Sequence, residues 1–134
     1  MPTTVFAALS VFLGAGLGAL LRWWFGTVLT PHFTIIPLGT LTSNLVGGFL
    51  VGVAVGVFTI RTDLSPELRL FIITGFMGGL TTFSSFSAEV VGLFARAQFG
   101  WALAAIGVHL LGSLALTALG ILGVRWLLLG ETSL

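Results

Sequence analysis

The chain of 134 residues contains no cysteine, no lysine and no tyrosine, and only 7% of its residues are charged. The lack of cysteine excludes a disulfide framework and a thiolate metal site. Soluble domains carry about 25% charged residues, so the charge content is too low for an ordinary water-facing surface. The formal net charge of +1 leaves no basic footprint for nucleic acid, which we do not expect as a partner.

Apolar residues make up 57% of the chain, and its mean hydropathy is +1.18. A helix needs about 20 mostly apolar residues to cross a bilayer. Four stretches with few charges are long enough, and they are Val5–Phe25, Pro37–Ile60, Leu68–Phe94 and Trp101–Leu129. We therefore predict one all-α, multi-pass membrane domain over residues 1–134, located in the cell (inner or plasma) membrane. The first stretch lacks the basic start of a signal peptide, so we expect it to be retained.

The five arginines are divided almost evenly between the two sides of the predicted bundle. Arg61, Arg69 and Arg125 share one side. The other side holds Arg22 and Arg96. Because asymmetry of Lys and Arg sets orientation, three against two is a weak bias. Either the short loops carry little topological signal, or the protein inserts in both orientations and pairs antiparallel; we favour the second interpretation.

The third stretch combines glycines with hydroxyl residues. Gly75, Gly78 and Gly79 precede five Ser or Thr residues within positions 81–87. Each glycine costs about 1 kcal/mol relative to alanine in a helix, and polar groups are tolerated at bilayer depth only within protein or beside water. Broken helices of this kind offer carbonyls to cations and half-helix starts to anions. The hydroxyls favour a break in the third helix over an unbroken helix with a packed glycine face.

Two phenylalanines and one asparagine add candidate ion contacts. Phe83 and Phe86 project from nearly the same helix face, an arrangement that usually means core packing. The edge of an aromatic ring is positive, so such edges also suit a small anion that must bind weakly to pass. Asn44 lies in a stripe of small residues at intervals of four. Its amide serves either as a bond between helices or as a donor to an anion, and the spacing leaves both open.

Three motifs carry a resemblance to a known family. They are GLGALLR at 16–22, GTLTSNLVG at 39–47 and GFMGGLTTFSSF at 75–86. With them, the chain resembles the Fluc (CrcB) family of fluoride channels over essentially its full length. The resemblance implies a passive, highly selective channel that exports cytoplasmic fluoride and gives fluoride resistance. It also implies an antiparallel, dual-topology homodimer.

The resemblance further implies roles for individual residues of the path. Asn44 matches the pore asparagine of the family. Phe83 and Phe86 match the phenylalanines whose ring edges contact fluoride. Ser84 and Ser85 match the polar track beside them.

Two features of the resemblance involve the helix break and the fourth stretch. Gly78 and Thr81 match positions whose backbone carbonyls, from both subunits, hold a central structural Na⁺; no organic cofactor is implied. Ser113 matches the polar track on the fourth stretch. Some relatives have a tyrosine there, and this chain has none, so Ser113 and Thr117 are expected to build that part.

Glu89 and Arg22 are the charged candidates near the path. The resemblance places Glu89 at a vestibule, and the alternative is a solvated position at the interface. Arg22 either concentrates anions at a mouth or extends to the headgroups.

Other functions fit the sequence less well. A proton-coupled transporter of the small multidrug type needs a buried acid in its first span, and residues 5–25 contain none. A haem-anchoring subunit needs a second axial ligand for His109, and His32 is predicted in a loop. We expect no enzymatic activity, because the spans contain no catalytic base or metal-binding set.

Overall fold

The computed structural model describes residues 2–29, 31 and 35–134, and these residues are mostly helical. The helices are α1 Pro2–Leu29, α2 Leu38–Ile60, α3 Pro66–Arg69, a π-helical segment Leu70–Met77, α4 Gly78–Leu80, α5 Phe83–Ala95 and α6 Phe99–Leu129. Within the described residues, four helical segments are long and apolar enough to cross a membrane, and the third runs over Pro66–Ala95. The predicted all-α arrangement of four apolar helices is confirmed. The loop position predicted for His32 lies outside the described residues.

The third span is broken at Thr81 and Thr82. Both residues have extended backbone, with φ −87° and ψ 153° at Thr81 and φ −150° and ψ 110° at Thr82. Thr82 then caps α5, because its Oγ1 accepts a hydrogen bond from the Ser85 amide at 3.1 Å. The predicted break is confirmed, but it follows the three glycines, which remain helical.

Glycines on α1 and on the third span allow these two elements to pack closely together. A Cβ on Gly14 would overlap the Phe71 carbonyl oxygen, and a Cβ on Gly79 would overlap the Ala15 carbonyl oxygen. Small residues let helix backbones approach in lipid, where apolar burial alone does not drive association. The glycine spacing is therefore a packing signal, while the extended residues that end the helix lie one turn later.

Close backbone contact also joins α2 to α6. A Cβ on Gly52 would overlap the carbonyl of Thr117, and the Thr117 hydroxyl donates to the Gly48 carbonyl at 2.8 Å. Gly120 approaches the Phe49 carbonyl from the other helix. These contacts hold α2 and α6 as one rigid wall.

We expect Gly52→Ala to destabilise the bundle by about 1–3 kcal/mol, because the added methyl group forces α2 away from α6. Gly123→Ala is the matched control, since a Cβ at Gly123 meets no heavy atom within 4 Å. It should be neutral or stabilising by up to about 1 kcal/mol. Thermal unfolding in detergent measures both, and equal melting temperatures for the two variants would contradict the packing argument.

Candidate functional site

A groove of about 490 Å³ lies beside the break in the third span. Its walls come from α2, the half of the third span before the break, α5 and α6. Most of the lining is apolar. The polar side chains are concentrated at the level of the break, and they are Asn44, Thr81, Thr82, His109 and Ser113.

Asn44 braces the broken backbone. Its Oδ1 accepts from the Thr82 amide at 2.8 Å, and its Nδ2 donates to the Thr82 carbonyl at 3.1 Å. The first bond satisfies the Thr82 amide, which the break has removed from the helical ladder, and the second adds a donor to the Thr82 carbonyl at the start of α5. Because the Thr82 amide requires an acceptor and its carbonyl requires a donor, they also determine which way the Asn44 amide points. Of the two roles left open by the sequence, the bond between helices is present here.

His109 contacts the same amide from α6. Asn44 Nδ2 lies 3.1 Å from His109 Nδ1. The imidazole is 5% exposed, and its centroid lies 4.5 Å from that of Phe86. His109 Nε2 is buried and has no hydrogen-bond partner among the described residues. In the sequence His109 has no carboxylate or second histidine beside it. Its spacing of four from Ser113 nevertheless places both side chains on one helix face.

The start of α5 brings the two phenylalanines and the hydroxyls together. The Phe83 and Phe86 centroids are 5.6 Å apart with an interplanar angle of 61°, an edge-to-face contact. Phe83 is 79% exposed, whereas Phe86 packs beside the buried core. The Thr82 hydroxyl lies 3.0 Å from Ser85 Oγ and 3.3 Å from Ser84 Oγ. The residues singled out in the third span thus surround the break.

Ser113 and Thr117 differ in their surroundings on α6. Ser113 lines the groove. The Thr117 hydroxyl is engaged by the Gly48 carbonyl, and its backbone packs on Gly52. Only Ser113 of the two therefore borders the groove, while Thr117 joins the helices.

The break also releases backbone carbonyls. In a continuous helix the amides of Thr82 and Ser85 would serve the carbonyls of Gly78 and Thr81. Here they donate to Asn44 Oδ1 and to the Thr82 hydroxyl. Gly78 is exposed, and a Cβ on it would meet no heavy atom within 4 Å. Unwound carbonyls of this kind coordinate Na⁺ in membrane proteins, so the donor set fits such an ion.

A second, smaller cavity of about 310 Å³ lies behind the break, lined by Arg22, Thr40, Thr82 and Ser85 among others. Arg22 Nε donates to the Gly79 carbonyl at 3.0 Å. The Thr40 hydroxyl donates to the half-buried Glu89 carboxylate at 2.5 Å. Both charged candidates are therefore bonded to residues at or near this cavity, and the bond from Arg22 to the helix end was not evident from the sequence.

Comparison with known proteins covers all of these residues. Residues 9–121 match the family model described as CrcB-like protein, Camphor Resistance (CrcB). A protein of Burkholderia cenocepacia named fluoride-specific ion channel FluC is 56% identical over 123 residues, which are 91% of this chain and 96% of that protein. A protein of the same name from Nitrosospira multiformis is 54% identical over 123 residues, which are 92% and 96% of the two chains. The matched range contains the break, the brace and both cavities.

Proposed function

This chain belongs to the CrcB family, and on that premise we propose that it is a fluoride-specific ion channel through which cytoplasmic fluoride leaves the cell passively. The observation that carries the proposal is the set of ring edges and hydroxyl groups gathered at a helix break within an apolar span. An inside-negative membrane potential would drive the anion outward by about 2.3 kcal/mol per charge for each 100 mV. Efflux of this kind gives resistance to fluoride.

The proposed path runs along the ring edges of Phe83 and Phe86 and the hydroxyls beside them. Fluoride is small and accepts hydrogen bonds strongly, so hydroxyl donors and positive ring edges replace part of its hydration shell. The described lining of the groove contains no arginine that would hold the ion, which favours release as well as entry. On this proposal Ser84, Ser85 and Ser113 line the path, and Asn44 borders it while bracing the break.

We propose an antiparallel, dual-topology homodimer as the conducting unit. The exposed ring of Phe83 lies beside an open groove, and a Cβ on the exposed Gly78 would meet no heavy atom of the described residues within 4 Å. A second copy packed on this face would enclose the groove. The near balance of arginines on the two sides supports insertion in both orientations.

The freed carbonyls of Gly78 and Thr81 would hold a structural Na⁺ between the two copies. The ion would supply positive charge at the carboxyl end of the first half-helix, where carbonyl dipoles converge. Arg22 already engages the neighbouring carbonyl of Gly79 on the opposite side. On this proposal the carbonyls of Gly78 and Thr81 are available to an ion, whereas the Gly79 carbonyl is hydrogen-bonded within the chain.

Arg22 and Glu89 would shape a vestibule on the second cavity. The Arg22 guanidinium attracts anions toward the break, and focusing of this kind raises the local concentration of an ion. The Glu89 carboxylate would oppose an anion, but its bond with the Thr40 hydroxyl turns one oxygen toward α2.

Purified protein in liposomes should release fluoride rapidly and chloride barely, when each efflux is measured with an ion-selective electrode under a potassium-valinomycin clamp. The expected selectivity follows from a path that offers hydroxyl donors and ring edges to a small anion. Protein-free liposomes give the background. Comparable rates for the two halides, or fluoride release no faster than background, would contradict the proposed function.

Dual topology predicts that about half of the molecules carry their carboxyl terminus outside. The chain contains no cysteine, so Ser133→Cys provides a single labelling site near that terminus. A membrane-impermeant maleimide applied to intact cells should label about half of the protein that is labelled after permeabilisation. Complete labelling, or none, would show a fixed orientation.

A further inference from the structure

The orientation of Asn44 determines the proton position on His109. A reversed Asn44 amide would set Nδ2 against the Thr82 amide and Oδ1 against the Thr82 carbonyl, and both bonds would be lost. With the observed orientation, Nδ2 offers one hydrogen to Thr82 and the other to His109 Nδ1. His109 Nδ1 is therefore the acceptor, and the neutral ring carries its hydrogen on Nε2.

We propose that His109 is a positioning residue for the ion path: its neutral ring supports the Asn44 amide against the break, and a proton on Nδ1 removes that support. The inference rests on the proposed function as a channel. Protonation would place an N–H of the ring against an N–H of Asn44 across a separation of 3.1 Å. Two donors cannot share that position, and the bonds to Thr82 prevent Asn44 from turning its oxygen toward the ring.

The buried position of His109 makes this contact consequential. The ring is 5% exposed and contacts Phe86, which borders the groove, with the two ring planes tilted by 37°. A charged ring that moved away from Asn44 would also shift Phe86. Protonation of one nitrogen would thus disturb the brace and one wall of the path together, and conduction should fall.

Other titratable groups near His109 are few. Helix α2 contains none, and α5 contains only Glu89, whose carboxylate is engaged by Thr40. On α6 itself the other charged residue is Arg125, four turns away and paired with Glu131. Asp63 lies outside the spans, in the loop after α2, and the hydrogen bond from Arg61 lowers its pKa to about 2. Its charge therefore does not change in the range in which histidine titrates, and it adds no pH dependence there.

The test measures fluoride efflux from liposomes between about pH 8 and about pH 5, the range in which histidine changes charge. Each variant is normalised to its own rate at the higher pH, after subtraction of protein-free liposomes, which corrects for permeation of HF. His109→Asn places an amide oxygen near the position of Nδ1 and does not titrate. His109→Gln places its amide near the position of Nε2 and leaves Asn44 without that acceptor. His32→Asn removes the only other histidine of the chain.

The fluoride efflux rate of the wild-type protein should fall roughly tenfold toward acid pH, because an ionised His109 ring abolishes the bond to Asn44. The same fall is expected for His32→Asn and for Glu89→Gln, which removes the ionisable group of α5 and leaves His109 in place. His109→Asn should change less than about twofold across the same range. His109→Gln should be slower than His109→Asn at the higher pH. Wild-type efflux that does not change with pH, or a pH dependence that persists in His109→Asn, would overturn the inference.

A spectroscopic measurement separates this inference from the proposed function. The ¹⁵N spectrum of the protein labelled at histidine, with His32→Asn as background, should show His109 with its hydrogen on Nε2 at the higher pH. Replacing Asn44 by leucine should abolish that preference. A hydrogen on Nδ1 would overturn the inference even in a conducting channel, whereas absence of fluoride efflux at every pH would overturn the proposed function itself.

Discussion

Replacing Asn44 by leucine is expected to reduce fluoride efflux about a hundredfold or more. The leucine side chain has nearly the same size but offers nothing to the Thr82 amide and carbonyl, which lie in the break. Leaving the Thr82 amide without its acceptor costs about 1–3 kcal/mol. The conducting geometry of the break bears that cost, and about 1.4 kcal/mol corresponds to a factor of ten in rate. The electrode assay in liposomes, with equal amounts of reconstituted protein, measures the effect.

Ser43→Ala provides the matched control for Asn44. Ser43 is the preceding residue of α2, it is fully buried, and its hydroxyl has no hydrogen-bond partner among the described residues. Removing that hydroxyl should leave efflux within about twofold of the wild type, since no satisfied bond is lost. Near-normal efflux from Asn44→Leu, or an equal loss in both variants, would contradict a specific role for the brace.

Replacing Phe83 or Phe86 by leucine is expected to lower fluoride efflux about tenfold or more while the protein remains folded. Leucine keeps the apolar bulk but has no ring edge to offer an anion. Loss of about 1.4 kcal/mol of stabilisation along the path is enough for a factor of ten. Phe86→Leu should have the larger structural effect, because the Phe86 ring also contacts the His109 ring.

Phe12→Leu distinguishes an ion contact from simple exposure to lipid. Phe12 on α1 is 72% exposed and Phe83 is 79% exposed, so the two rings are similarly exposed, but only Phe83 lines the groove. If Phe83 only faced lipid, its replacement would be as harmless as that of Phe12. Efflux should persist in Phe12→Leu and fall in Phe83→Leu, with elution of both from a sizing column as for the wild type.

Much of the fold could be predicted because hydropathy and charge spacing are local properties. Runs of apolar residues longer than a bilayer crossing predicted four spans, and the part of the chain that the structure describes contains four such helical segments. The glycines and hydroxyls of the third span predicted a break. The sequence did not predict that the break lies at Thr81 and Thr82, because the glycines that suggested a break are used for contact with α1.

The candidate site could be predicted as a set of residues but not as a set of contacts. Asn44, Phe86 and His109 were each noted separately. Their contacts depend on how the helices are rotated against one another. Asn44 meets Thr82, which lies 38 positions further along the chain, and His109, which lies 65 positions further along. The capping of Gly79 by Arg22 spans 57 positions and has the same origin.

By itself the sequence determined that this protein is an apolar four-helix bundle with an interrupted third span, because burial in lipid depends on composition along the chain. Only the tertiary structure decided how the interruption is satisfied. Hydrogen bonds require a donor and an acceptor at one distance and angle, and that pairing arises only when α1, α2 and α6 pack around the break. The direction of the Asn44 amide, and with it the proton position on His109, follows from this packing.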